Sequence, residues 1–248
     1  MSRQERPRVP KTQGFYFLRI SHRLCPVSNM GIDCYYTPGS APCRAVLLAA
    51  KNLGIELNLK LINLMTGEHL KADFIAMNPQ HTIPTLNDDG FYLSESRAII
   101  QYLANAYGKN DSLYPKDPKK RFLVEHRLAF DMGTLYHRFG DLYYPVMFAK
   151  AKVDPEKVTK LNEALQWTDD FLAKTSYIAG DNMTIADFSV MPTLSTIEAV
   201  GHDLTPYKNV TKYMSKLKEE IVGYVELNQQ GADQFGEWAK SAIQAVSG

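Results

Sequence analysis

Residues 32–62 read IDCYYTPGSAPCRAVLLAAKNLGIELNLKLI, and this stretch decides the fold. The alternation over 32–36 predicts a short strand, which the following prolines and glycine end. Residues 43–53 favour a helix, and Pro42 suits its first position. A second alternating run over 56–62 predicts another strand. Strand, helix and strand within about thirty residues form a βαβ unit, in which the two strands are parallel.

The segment that follows completes a small α/β domain. Residues 68–76 predict a short helix, and residues 84–86 and 91–93 predict two strands. Asn-Asp-Asp-Gly at 87–90 is a strong hairpin signal between them. A helix follows over 95–107. The predicted order is therefore β-α-β-α-β-β-α.

The second half of the chain is predicted to be almost entirely helical. Predicted helices cover residues 119–143, 155–174, 185–199, 208–220 and, more weakly, 233–245. The predicted organisation is an N-terminal extension (1–29), an α/β domain (30–108), a polar linker (109–118) and an all-helical domain (119–248).

One helix start in the second half is marked by its own sequence. In NMTIADFSV, Thr184 and Asp187 are spaced as a capping box, and Met183 and Phe188 as a hydrophobic staple. These spacings predict a helix N-terminus with a purely structural role, so we expect no catalytic function from this segment.

Composition restricts the classes of partner. The chain has 248 residues and a formal net charge of +1 with mixed signs, so nothing indicates binding to nucleic acid or to a membrane surface. No run reaches the roughly 18 apolar residues of a membrane span. Three cysteines, Cys25, Cys34 and Cys43, form neither a disulfide framework nor a zinc motif and favour a reducing compartment. The six histidines show no metal-ligand spacing, so no metal is expected.

The first 29 residues differ from the rest in charge. They hold six basic residues against the single acid Glu5, a net charge of +5. Two interpretations stay open for this segment: a disordered extension, or an arginine-rich mitochondrial transit peptide.

Three short segments carry polar groups to one region of the predicted domain. Ligands of open α/β sheets gather at the carboxyl ends of strands, beside helix N-termini. Ser40 lies at such a point, and so do His-Thr-Ile-Pro at 81–84 and Glu-Ser-Arg at 95–97. The Ile83–Pro84 bond is a candidate cis peptide. Ser96 in a first helical turn suits a carboxylate and Glu95 an ammonium, which together indicate an amino acid head group, although plain helix capping is the alternative.

These segments resemble a known family. The motifs YYTPGSAPCRAV, NLMTGEHL, NPQHTIPTL, ESRAIIQYL and NMTIADFSV, followed by a helical second half, are similar to those of the cytosolic glutathione S-transferases, most closely the insect delta class (delta/epsilon-like). The resemblance runs from Met30 to about residue 240 and leaves the first 29 residues without a counterpart. It implies a thioredoxin-like α/β domain followed by an all-α helical-bundle domain.

The resemblance also implies roles for individual residues. Ser40 is expected to be the catalytic hydroxyl, which donates a hydrogen bond to the glutathione sulfur. The other implied glutathione-binding residues are His69 and His81 at the glycine end, Thr82, Ile83 and Pro84 at the cysteinyl backbone, and Glu95, Ser96 and Arg97 at the γ-glutamyl end. Asp131 is expected to join Glu95 and Arg97 in a supporting charge network.

A hydrophobic site for the second substrate is implied across the domain interface. An apolar stripe at helical spacing is by itself more typical of a core. The resemblance makes it a candidate wall for apolar electrophiles, and the residues concerned are Pro42, Met132, Tyr136, Phe139, Tyr144, Met147 and Phe148.

The expected function is a glutathione transferase that conjugates the glutathione thiolate to apolar xenobiotic or lipid-derived electrophiles, with peroxidase or dehydrohalogenase activity as possible accessories. Two alternatives stay open: a thiol transferase that uses Cys43, and a non-catalytic binding or scaffolding relative. The resemblance implies a cytoplasmic homodimer with glutathione as co-substrate. Many delta-like members carry an aromatic residue where Ala129 stands, so a subunit contact there is expected to differ.

Overall fold

The α/β half is built on a four-stranded sheet, and the computed structural model describes residues 31–247 of the chain. The strands are β1 (Ile32–Tyr36), β2 (Leu57–Leu61), β3 (Thr85–Asp88) and β4 (Phe91–Leu93), in the order β2-β1-β3-β4. β1 and β2 are parallel, as the βαβ pattern predicts, and the other neighbours are antiparallel. The thioredoxin-like expectation for this half is confirmed.

Three helices cover the sheet. α1 (Ala41–Leu53) and α3 (Ser96–Tyr107) pack against each other, and α2 (Ala72–Met77) follows a single 3-10 turn. Successive residues of a strand point to opposite faces. Cys34 of β1 is accordingly buried in the core, whereas the neighbouring Tyr35 packs edge-on against Phe74 of α2, with ring centroids 5.9 Å apart. The predicted element order is confirmed.

The second half is helical, as expected, but residues 118–247 form six α-helices where five were predicted, because the first predicted helix corresponds to α4 and α5. They are α4 (Pro118–Phe130), α5 (Tyr136–Ala149), α6 (Pro155–Leu172), α7 (Ile185–Ala199), α8 (Lys208–Glu220) and α9 (Gln230–Ser247). Two π-helical turns, Asp131–Leu135 before α5 and Val225–Gln229 before α9, are continuous with their neighbours.

α7 is the central helix of this half. Nearly all of its side chains are buried, and it packs against α1 of the α/β half as well as against α4 and α9. The predicted capping box forms at its start: the Asp187 carboxylate accepts the Thr184 backbone N–H at 2.7 Å. Asp187 also accepts hydrogen bonds from the Ile178 amide and the Tyr213 hydroxyl. The box therefore ties three segments together, which fits the structural role expected of it.

Several predicted boundaries need correction. Ser40 is the N-cap of α1, so Pro42 occupies the second helical position and not the first. The hairpin turn is shorter than predicted, because residues 87 and 88 still pair with β4 and only Asp89 and Gly90 form its tip, both with positive φ. The predicted helix over 119–143 extends to Ala149, because α5 continues through Pro145 instead of ending before it. The weak final helix begins at Gln230, three residues before its predicted start.

No helix within residues 31–247 is long and apolar enough to cross a membrane. The two interpretations of residues 1–29, and Cys25 with them, lie outside the described residues.

Candidate functional site

Ser40 lies between the end of β1 and the start of α1. As the N-cap of α1 it has an extended backbone, and its Oγ accepts the Cys43 backbone N–H at 3.3 Å. The Ser40 hydroxyl also lies within hydrogen-bonding reach of the Cys43 thiol, and it lowers the pKa of that thiol against the larger effect of burial. The partial positive charge of the helix N-terminus favours an anion at the same place. The arrangement therefore suits a negatively charged ligand atom.

The segment from His81 to Pro84 forms a turn that enters β3. The Ile83–Pro84 peptide is cis, as the sequence suggested, and His81 has a positive φ of 47°. Asn78, which is buried, donates from its side chain to the Thr82 carbonyl at 3.0 Å and to the Thr85 hydroxyl at 3.0 Å. A non-glycine residue with positive φ is uncommon and is often found at functional sites.

His69 lies beside this turn. Its ring centroid is 6.2 Å from that of His81, and its Nδ1 is buried without a hydrogen-bond partner. A buried polar atom without a partner costs about 1–3 kcal/mol, so it is available to an incoming ligand. The structure thus brings the two histidines together, as the sequence prediction requires.

Glu95 and Ser96 begin α3. Glu95 is the N-cap residue, with a positive φ of 67°, and its side chain is exposed. Ser96 is buried in the first turn and accepts a hydrogen bond from the Arg97 guanidinium at 3.0 Å. The first turn of α3, which can donate hydrogen bonds to a carboxylate, therefore lies beside the exposed Glu95 carboxylate, which can bind an ammonium. An amino acid head group carries both of these charges.

Arg97 forms a buried ion pair with Asp131. Nη2 and Nε lie 2.7 and 3.1 Å from the same carboxylate oxygen of Asp131. Asp131 also accepts hydrogen bonds from Ser189 and Thr193 of α7. The predicted network exists in this form, but Glu95 does not join it, because its side chain points to solvent and pairs with no described residue.

The predicted hydrophobic residues separate into an accessible group and a core group. The Tyr136 and Tyr144 hydroxyls hydrogen-bond each other at 2.6 Å, and the Tyr144 ring packs against Phe148, which is 66 % exposed. Phe139 and Met147 are buried, so they are core residues rather than an open wall, as the apolar-stripe interpretation would have it. Met132 lies on the π-helical turn and is 48 % exposed.

α9 adds two aromatic residues that the sequence predictions missed. Trp238 packs against Phe148 with ring centroids 5.3 Å apart, and Phe235 against Trp238 at 5.7 Å. Phe235 also lies against Gly39, next to Ser40. We call Tyr136, Tyr144, Phe148, Phe235 and Trp238 the aromatic wall. The spacing of 235 and 238 on one helical face was the available signal, but it did not show which surface that face would meet.

Arg44 is a second residue that the predictions missed. It lies one helical turn after Ser40, its backbone N–H donates to the Ser40 carbonyl at 3.0 Å, and its side chain is 0 % exposed. The signal in the sequence was an arginine within an otherwise apolar helix, APCRAVLLAA.

The two described thiols are unsuited to chemistry. Cys43 and Cys34 are fully buried. Burial raises the pKa of the Cys43 thiol to about 11, and burial raises that of Cys34 further. A protonated thiol without solvent access is a poor nucleophile.

Among residues 31–247 no group of three or more His, Cys, Asp or Glu side chains could hold a metal ion. Two clefts have volumes of about 670 and about 640 Å³, and the second borders the loop that carries Ser40, because Pro38 lines it. The first is between the segment before α4 and the loop before α7, and the second is between β2 and the start of α9. Neither is lined by the Ser40, His81 or Ser96 side chains.

Comparison with known proteins agrees with this geometry. Residues 35–111 match the model of the glutathione S-transferase N-terminal domain, and residues 120–220 that of the C-terminal domain. The chain is 47 % identical over 211 residues to glutathione S-transferase D7 of Anopheles gambiae, covering 84 % of this chain and 97 % of the relative.

Solved structures are similar over the same region. A delta-class glutathione transferase of Nilaparvata lugens is 57 % identical, with a TM-score of 0.84, over 85 % of this chain and 99 % of its own. A glutathione transferase homologue from Drosophila mojavensis with bound glutathione is 34 % identical, with a TM-score of 0.81, over 86 % and 97 %. The resemblance inferred from the motifs is confirmed, and the chain belongs to the glutathione S-transferase family.

Proposed function

We propose that the chain conjugates the thiolate of glutathione to apolar electrophiles, with Ser40 stabilising the thiolate. The observation that carries this proposal is the position of the Ser40 hydroxyl at the N-terminus of α1, where a hydrogen-bond donor and the helix dipole both favour a bound anion. The thiolate attacks an electrophilic carbon, a carbon–sulfur bond forms, and the leaving group departs with its bonding electron pair.

The magnitudes fit a donor without a general base. A thiol with a pKa of about 8.5 is only a few per cent ionised at neutral pH, and lowering that pKa by about two units requires roughly 2.7 kcal/mol. A hydrogen bond to a charged group contributes about 1.5–3 kcal/mol and the helix N-terminus about 0.3–1 kcal/mol. Together these suffice, so Ser40 need not be activated by a histidine.

The neighbouring polar groups would bind the rest of the tripeptide. Ser96 and the first turn of α3 would hold the γ-glutamyl carboxylate, and Glu95 would hold its ammonium, with the Arg97–Asp131 pair as support. The Ile83 backbone before Pro84 would pair with the cysteinyl backbone next to Thr82. His69 and His81 would meet the glycine end; the unpartnered Nδ1 of His69 supports this assignment.

The electrophile would bind against the aromatic wall. Its members range from half-buried to strongly exposed, so they present an apolar surface without a closed shape. Burial raises the pKa of the Tyr144 phenol and, well above its usual range, that of Tyr136, so both hydroxyls stay protonated at neutral pH. Such a wall favours flat, apolar substrates such as aryl halides, in keeping with a detoxifying role.

The thiol transferase alternative is disfavoured by the burial of Cys43. A thioredoxin-type motif needs an exposed first cysteine, and Ser40 occupies that position. The scaffolding alternative is separated from the enzyme by titration: if millimolar glutathione does not bind, the proposed function is wrong.

The decisive experiment compares Ser40→Ala with Cys43→Ala. In Ser40→Ala the thiol pKa read from the pH profile of aryl halide conjugation should rise by about one to two units, because a charge-assisted hydrogen bond is lost. In Cys43→Ala the profile should not move. Identical profiles for wild type and Ser40→Ala would contradict the role of Ser40. A panel with peroxides and with substrates of dehydrohalogenation would show any accessory activity.

We also propose a homodimer in the cytoplasm, as the family resemblance implies. Phe91, Tyr92 and Tyr107 expose large aromatic surfaces on β4 and α3, which a second subunit would cover. Ala129 is exposed on α4, where the resemblance leads us to expect a reduced contact. Sedimentation at micromolar concentration that showed only monomer would contradict the dimer, and subcellular fractionation would test the location.

A further inference from the structure

Arg44 is a buried cation whose surroundings are neutral. Its Nη1 donates to the Asn228 side-chain oxygen at 2.6 Å and to Ser195 Oγ at 3.2 Å, and its Nη2 donates to the Thr196 hydroxyl. Its Nε is buried without a partner. Among the described residues no carboxylate pairs with it. Burial lowers the pKa of Arg44 to about 10, so the guanidinium is still charged at neutral pH.

The titratable groups around Arg44 leave this charge unneutralised. They are Tyr224, Tyr136, Tyr144, Cys43 and Asp233, from the chain before α9, from α5, from α1 and from α9. Burial raises the pKa of Tyr224 to about 12, and Tyr136, Tyr144 and Cys43 are also protonated at neutral pH. The side chain of Asp233 is exposed, so water screens its interaction with Arg44.

Arg44 interacts electrostatically with groups around the Ser40 site, among them Cys43 and Tyr144. Arg44 follows Ser40 by one turn of α1, and Gly231 of α9 packs directly on both the Pro38 carbonyl and the Arg44 side chain. This close packing holds α9 against the loop that carries Ser40 and leaves the Arg44 side chain without solvent exposure. A charge in such an interior acts over a longer range than a charge at the surface.

We propose that Arg44 supplies a fixed internal positive charge that stabilises the thiolate held by Ser40. The inference rests on the proposed function. Because Arg44 does not touch the bound sulfur, it is a positioning residue that acts through its electric field. Two unit charges about 10 Å apart in an effective dielectric of about 20 shift each other's pKa by about one unit.

Asn228→Asp tests this with almost no change in shape. The new carboxylate would stand where the amide oxygen already accepts the Arg44 hydrogen bond, and Ser195 could donate to the other oxygen. Arg44 would then have a counter-ion, so its field at the thiolate would largely vanish. A purely structural role for Arg44 predicts the opposite: a stronger anchor and an unchanged thiol.

The measurement is the pKa of glutathione bound to the full-length protein, read from thiolate absorbance in the ultraviolet against pH. We expect Asn228→Asp to raise that pKa by about one unit, while glutathione affinity at saturating pH changes little. Asn105→Asp, which adds the same charge on the exposed surface of α3, should leave it unchanged. Ser40→Ala supplies the reference for a lost hydrogen bond.

The outcomes separate the two proposals. If wild type fails to lower the thiol pKa, the proposed function is wrong and this inference is overturned with it. If wild type lowers it and a folded Asn228→Asp protein matches wild type, only the role of Arg44 is overturned. Should Asn228→Asp not fold, Arg44→Lys and Arg44→Met provide the test. The lysine variant keeps the charge and must keep the lowered thiol pKa, whereas in the methionine variant the thiol pKa must rise by about one unit. Equal thiol pKa values for the two variants would refute the proposal.

Discussion

Two buried arginines lie close to helix N-termini in this protein, and one has a carboxylate partner whereas the other has none among the described residues. Arg97, near the start of α3, is locked to Asp131, which also accepts two hydroxyl donors from α7. Arg44, in α1, has only neutral oxygen acceptors, and its pKa is lowered by burial. The first charge is neutralised inside the fold. The second is kept available to an anion that the fold does not itself contain.

The difference shows how one scaffold separates support from chemistry. A paired charge produces a weaker net field than an unpaired one, so the main role of the Arg97–Asp131 network is to fix α3. An unpaired charge destabilises the empty protein but favours a bound thiolate. Each of the following predictions alters one side of this comparison.

The largest expected effect is on the free energy of unfolding when each arginine is replaced by methionine. Arg97→Met leaves the Asp131 carboxylate buried with hydroxyl donors alone, so the free energy of unfolding should fall by about 3–5 kcal/mol. Arg44→Met leaves neutral groups that already bond one another, including Asn228 with Ser195 and Thr196 with the Pro192 carbonyl, so the loss should be about 0–2 kcal/mol.

Urea unfolding of the two variants measures this order. Equal losses would show that Arg44 is as dependent on its partners as Arg97 is, and the comparison would fail.

A smaller effect is expected where α9 seals Arg44. In Gly231→Ala the added methyl carbon would lie 2.2 Å from the Pro38 carbonyl oxygen, a backbone atom, so α9 must move away from the loop. We expect a loss of about 1–3 kcal/mol in the free energy of unfolding, with a raised thiol pKa as water reaches Arg44.

Gly133→Ala is the matched control, because nothing lies within 4 Å of its added carbon. Alanine there should change the free energy of unfolding by no more than about 1 kcal/mol in either direction. A Gly231→Ala protein as stable as this control would mean that the close approach of α9 is unimportant.

The smallest effect concerns a buried base that can release its proton. His202 is half-buried, with Nδ1 2.9 Å from the Tyr143 hydroxyl and Nε2 2.8 Å from the Asn162 side-chain oxygen. Burial lowers the pKa of His202 below its ordinary value, with nearby Asp203 opposing the shift. The unfolded chain therefore binds this proton more tightly, and stability should decline as pH falls through about 6.5.

Thermal unfolding from pH 7 to pH 5 should show wild type losing more stability than His202→Gln, by less than about 1 kcal/mol. If both lost the same amount, His202 would not distinguish the folded from the unfolded state. In that case the protonation of His202 would make no measurable contribution to the free energy of unfolding.

Local patterns explain why so much of the fold could be predicted. Strand alternation, the capping box at Thr184 and the Asp-Gly hairpin tip each depend on residues close in sequence, so their structures follow from short-range chemistry. The helix ends that were wrong have no reliable local marker: α5 continues through Pro145 to Ala149, and a π-helical turn leads directly into the last helix at Gln230.

The candidate site shows the same division. Ser40 and the 95–97 segment were predicted because each stands between the end of a strand and the start of a helix, whereas the 81–84 turn, which enters β3, was marked by its Ile-Pro bond. The sequence did not show which of Phe139 and Phe235 is a core residue and which belongs to the aromatic wall. Both look like members of an amphipathic helix face, and only the packing of α5 against α9 makes one a core residue and the other part of the aromatic wall.

The sequence by itself determined the element order and the parallel βαβ start, and it indicated a candidate cis-proline turn and the polar groups of the proposed glutathione site. Tertiary structure decided which partner each charge would have. Arg97 and Asp131 are 34 residues apart, and Arg44 and Asn228 are 184 apart. Whether a buried guanidinium meets a carboxylate or an amide depends on how distant helices pack, and the free energy of a buried charge depends on that contact more than on the residue itself.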